Sequence, residues 1–100
     1  MHLGILVNSA CNLRLITGIT RAATAGGHQV TIFAMDEGTR LLEAEDFLAL
    51  AGEPAVAMSY CDHSARELRV NTVTVPAAIE CGSQFSNAAM VHAADKVLVL

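Results

Sequence analysis

A chain of 100 residues with 53% hydrophobic content, a mean hydropathy of +0.45 and 4% aromatic residues is sized for one domain, residues 1–100, with an aliphatic core. Six Lys and Arg against ten Asp and Glu give a net charge of −4 with no basic cluster, which removes the electrostatic footprint of nucleic-acid binding and disfavours anionic membrane surfaces. The apolar stretches are strand-length, so no membrane span is expected, and a cytoplasmic location is expected by default.

Residues 3–7 form a continuous apolar run suited to a buried strand. The run follows Met1-His2 with no Lys or Arg ahead of it, and it is too short for a signal core, so it reads as the first strand. Asn12 is a good helix cap, and Leu15, Ile16, Ile19, Ala22 and Ala23 follow at helical spacing. Gly26-Gly27 ends that helix. Residues 29–35 are a second, β-branched strand, which completes a βαβ unit with parallel strands and a right-handed crossover.

Asp36-Glu37-Gly38-Thr39 reads as a turn. Residues 40–51 carry a helical pattern with Leu41, Leu42, Phe47, Leu48 and Ala51 inward, stopped by Gly52-Glu53-Pro54. Residues 55–61 are the third strand, followed by a short helix to about residue 68. Residues 70–75 read as a short strand or an extended loop, because Pro76 blocks a central ladder position just beyond. Ser83 caps a helix reaching to residue 94, and residues 96–100 are the last strand. This order implies an α/β fold: an open, mostly parallel sheet of four to five strands with helices on both faces, flavodoxin-like. Much apolar surface on so small a body implies cover by other subunits, or a parallel sheet apolar on both faces.

Cys11, Cys61 and Cys81 each precede a predicted helix start. In a parallel sheet those positions share the carboxyl rim, where ligands bind. Three cysteines cannot all pair within one chain, and in a reducing compartment they are free thiols. Cys61 has the best local chemistry. It closes an apolar run and opens Asp62-His63-Ser64, so it meets unpaired N–H groups and the positive end of a helix dipole, conditions that favour the thiolate. His63 is placed to support that thiolate as imidazolium or as a proton relay. Asp62 works against it. The alternative is a small buried residue that only packs. Cys81-Gly82-Ser83-Gln84 offers a possible second thiol beside a glycine that lets backbone approach a ligand, and a loop or packing role for Cys81 is the alternative. Cys11 reads more as bystander than participant.

Other chemistries are weaker. There is no C-x-x-C, Walker or G-x-G-x-x-G motif. Cys61, His63, Cys81 and His92 do not have the spacing of standard zinc ligands. Asp36, Glu37, Glu45 and Asp46 read as solvated charges. No cofactor or metal is expected.

The sequence resembles the DsrE/DsrF-like family, which includes the DsrE and TusD sulfur-relay subunits. The resemblance spans nearly the whole chain. It rests on Leu3-Gly4-Ile5-Leu6-Val7-Asn8, on Gly27-His28-Gln29-Val30-Thr31-Ile32-Phe33 leading to Asp36-Glu37-Gly38, on a strand ending in Cys61 before a short helix, and on Ala94-Asp95-Lys96-Val97-Leu98-Val99-Leu100. It implies a DsrE-type α/β domain that assembles into homotrimers or homohexamers. It also implies a sulfurtransferase or persulfide carrier in which a cysteine at the end of the third strand, here Cys61, accepts sulfane sulfur and passes it to a partner thiol. Donor and acceptor are then proteins or small thiols. Two departures stand out. Arg69-Val70-Asn71 stands where the family often has a glycine, and the Cys81-Gly82-Ser83-Gln84 segment is not a general family feature. Two other functions fit the same sequence: a non-catalytic oligomeric binding or regulatory subunit, and a thiol redox sensor using Cys61 with Cys81.

Overall fold

A computed structural model describes residues 1–100. The chain forms five strands: β1 (His2–Val7), β2 (Gln29–Ala34), β3 (Val56–Cys61), β4 (Ile79–Gly82) and β5 (Lys96–Val99). All neighbours pair in parallel, in the order β4-β3-β2-β1-β5. The helices are α1 (Leu13–Ala25), α2 (Glu45–Ala49), α3 (Asp62–Glu67) and α4 (Gln84–Ala93). The expected parallel α/β architecture is therefore present.

The strand order explains why the two faces differ. From β1 to β4 the chain steps always in one direction, so its right-handed crossovers stay on one face. Only the return from β4 to β5 carries a helix, α4, to the other face. Strand alternation then sorts the side chains. Leu3, Ile5, Val7, Val30, Ile32, Ala34, Met58, Tyr60 and Ile79 pack with Ile16, Leu41, Leu42, Phe47, Leu50 and Ala65 in the main core. The α4 face holds a much smaller buried cluster of Phe33, Cys61 and Met90, flanked by Leu6 and Met35. One helix cannot cover five strands, so Ala57 and Glu80 on that face are exposed.

Several local expectations need correction. Residues 36–51 do not form a turn followed by one helix. They form a 3-10 stretch (Asp36–Glu43), then α2, then a 3-10 turn (Leu50–Gly52), with Ala44 extended between the first two. Packing decides this. Gly38 is buried so tightly that a Cβ there would run into the Val7 carbonyl, which pins the chain to the end of β1. In α1 the buried arc is centred on Ile16 and Thr20, with Leu13, Ile19 and Ala23 flanking, whereas Leu15 and Ala22 are exposed. Asn12 stands at the N-cap but makes no side-chain cap bond.

Of the two readings of residues 70–75, the loop is the one present, and the fourth strand lies further along the chain. Residues 70–75 are loop and turn, and β4 begins beyond Pro76, where the Ile79 N–H closes a turn onto the Pro76 carbonyl. Cys81 therefore lies within a strand, not in a loop before the last helix. No helix is long and apolar enough to cross a membrane.

Candidate functional site

Cys61 is both the last residue of β3 and the N-cap of α3. Strand alternation turns its side chain toward the α4 face, onto an apolar floor of Phe33 and Met90. Its Sγ accepts the Ser64 backbone N–H at 3.5 Å, one of the N–H groups a helix start leaves free. The residue is only 4% exposed, so its environment is set by protein groups rather than by water.

Two opposing effects act on this thiol. Burial pushes its pKa up, because a thiolate loses hydration. Hydrogen bonds from the Ser64 side chain and backbone, the Gln84 side chain and the His63 backbone outweigh burial, and the net effect holds the Cys61 pKa below the ordinary thiol value. The sulfur opens onto a recess of about 610 Å³ lined by Met35, Asp36, Asp62, His63, Ser64, Gly82, Ser83 and Gln84. Three chain segments build it: the exit from β2, the start of α3 and the junction of β4 with α4.

That junction is held by reciprocal capping. The Ser83 hydroxyl accepts the Phe85 N–H at 3.2 Å, while the Ser86 hydroxyl accepts the Ser83 N–H at 3.4 Å. Gly82 lets the Ser86 side chain approach closely. A Cβ on Gly82 would run into the Ser86 hydroxyl, so it is Ser86 that closes on this glycine.

His63 supports Cys61 through its main chain. Its imidazole is exposed, with Nε2 3.9 Å from the Glu67 carboxylate, and lines the same recess as Cys61. Asp62 is paired with Arg66 at 2.7 Å. Asp36 and Glu37 are exposed, as expected of solvated charges, and line a second recess of about 350 Å³ beside the first, with Asp36, His63 and Ser64 common to both.

Cys81 shares the rim with Cys61 but not the face. In the β3–β4 register Tyr60 pairs with Cys81, and Cys61 pairs with Gly82. Cys81 therefore projects with Tyr60 to the main-core face, opposite to Cys61. A disulfide needs Cβ atoms within about 4.5 Å and directed toward each other, a geometry that side chains on opposite faces do not provide. Cys81 instead contacts the Tyr60 phenol. Burial first, then Cys81, push the Tyr60 pKa up to about 12. Cys11 is exposed in the loop between β1 and α1, near the β1–β5 pair where the strand order reverses. His92 is exposed in the last turn of α4, at the far end from Gln84. No group of three or more His, Cys, Asp or Glu residues is placed to hold a metal ion.

Sequence reasoning did not single out Met35, Asp36 or Gln84 as site residues. Nothing in their local pattern marks them, because they reach Cys61 only through the crossing of three separate segments.

No protein-family model matches the chain, and no curated protein does. A solved structure does: the YchN protein from E. coli, with a TM-score of 0.69 at 16% identity, covering 100% of both chains. The two proteins share a fold. It is a flavodoxin-like parallel α/β arrangement, and Cys61 stands in it at the end of the third strand.

Proposed function

We propose that this protein is a small sulfur-relay component that carries sulfane sulfur as a persulfide on Cys61. The observation that carries this reading is a nearly buried thiol held below its ordinary pKa by donors from α3 and α4, facing an open recess. A thiolate at neutral pH is the nucleophile that persulfide transfer needs. The Cys61 thiolate attacks the outer sulfur of a donor R–S–SH. The new Cys61 S–S bond forms as the donor S–S bond breaks. R–S⁻ departs and takes a proton from solvent, and the outer sulfur keeps its own proton. A partner thiolate then removes that outer sulfur by the same exchange, which regenerates Cys61. Neither step needs an external oxidant, metal or cofactor.

Assembly into a homotrimer or homohexamer is part of this reading. Its support is exposed apolar surface. Val97, Leu98 and Val99 of β5 and Phe85 and Val91 of α4 are all exposed. Donor and acceptor are then proteins or small thiols that reach the recess at the sheet rim. A cytoplasmic setting fits three free cysteines.

The test is intact-mass measurement after incubation with a persulfide donor. Wild type should gain about 32 Da, one sulfur atom. Cys81→Ser and Cys11→Ser should gain it too, and Cys61→Ser should not. An adduct that survives Cys61→Ser overturns the proposal.

A further inference from the structure

We propose that Gln84 is the sulfur-binding donor of the Cys61 recess and that Asn87 is its positioning residue, the two forming a relay that presents the Gln84 amide N–H groups to anionic sulfur. This rests on the persulfide-carrying reading of Cys61 and identifies the group that would hold the charged sulfur.

Gln84 is the first residue of α4, so its side chain leaves the capped helix start directly into the recess. Its Nε2 donates to the Met35 Sδ at 3.7 Å, and the Gln84 side chain is one of the groups that hold the Cys61 pKa below its ordinary value. The carboxamide nitrogen is thus aimed at a sulfur atom on the wall of the recess that Cys61 also lines. Its other end is tied: Asn87 Nδ2 donates to Gln84 Oε1 at 3.2 Å, one helical turn further on. With the oxygen engaged, the nitrogen end must face the recess, and a carboxamide nitrogen only donates. Donors stabilise thiolate and persulfide anions, whereas an amide oxygen in that place would repel them. The Asn87 carboxamide is itself fixed with its Oδ1 buried and unpartnered, a cost that the structure bears at this position. Met35 is a weak acceptor, so its hydrogen bond is easily exchanged for one to an arriving sulfur anion.

The test uses the chain carrying Cys11→Ser and Cys81→Ser, so that Cys61 is the one thiol read. Ultraviolet thiolate absorbance is followed against pH. Gln84→Leu should raise the Cys61 midpoint enough to cut the thiolate fraction at neutral pH about threefold to tenfold. Asn87→Leu should shift it in the same direction by less. The double variant should shift it no further than Gln84→Leu alone, because Asn87 acts through Gln84. An unchanged midpoint in Gln84→Leu overturns the donor role, and additive shifts overturn the relay. Persulfide loading of the same parent chain is measured alongside. Loading with an unmoved midpoint defeats this inference and leaves the persulfide reading standing. A moved midpoint with no loading defeats the persulfide reading and leaves the Gln84 hydrogen bond standing.

Discussion

Cys61 and Cys81 sit on adjacent strands at the same rim of the sheet, yet the fold gives them opposite surroundings. Cys61 ends its strand, caps a helix and turns toward α4, where N–H groups and a side-chain amide converge on it. Cys81 lies one residue short of the end of β4, and that single step of strand parity sends it to the other face beside the Tyr60 phenol. A shared rim therefore does not make a shared site. The decisive variables are parity along the strand and which helix begins at its end.

The largest expected effect separates the two thiols outright. Cys61→Ser should abolish persulfide loading, and Cys81→Ser should leave it unchanged within a factor of about two, as donor-dependent mass shifts would show. Equal losses in both variants would erase the contrast. Next comes Gly82→Ala, which probes the junction between the two thiols. The added methyl group displaces the Ser86 hydroxyl and breaks the reciprocal cap of α4, at about 1 kcal/mol or a fall in Tm of roughly 4–8 °C by calorimetry. Ser64→Ala removes a side-chain donor to Cys61 but keeps the backbone one. Alkylation of Cys61 at neutral pH should slow about threefold, with no change at Cys81.

The smallest effect concerns the Cys81 side. The folded-state pKa of Tyr60 is raised, so its stabilising contribution is complete below the ordinary tyrosine value of 10.0 and is lost as pH rises through about 12. Wild type should therefore lose stability across that window in denaturant titrations, and Tyr60→Phe should flatten the loss. An unchanged alkaline slope in Tyr60→Phe would place the ionising group elsewhere.

Much of the fold could be read along the chain because hydrophobic period and helix punctuation agree with it. The runs that became β1, β2 and β3 are apolar because three elements cover one face, and Gly26-Gly27 ends α1 with Gly27 at φ +84°. Reading failed where tertiary packing decides. Ile79-Glu80-Cys81-Gly82 has one buried residue and no periodic signal, yet it pairs with β3, while the more β-branched residues 70–75 remain loop. Cys61 was legible because a strand end and a helix start meet there in sequence. The face taken by Cys81 was not, since it depends on knowing that β4 is a strand and how it registers. Gln84 and Met35 were invisible because 49 residues separate two side chains that meet only in the folded sheet.

Peptide-resolved mapping of persulfide on the wild-type protein after donor treatment is the most direct test of this contrast. The account predicts the added sulfur on the peptide containing Cys61, with Cys11 and Cys81 recovered as free thiols. Added sulfur on Cys81, or recovery of a Cys61–Cys81 disulfide, would contradict it.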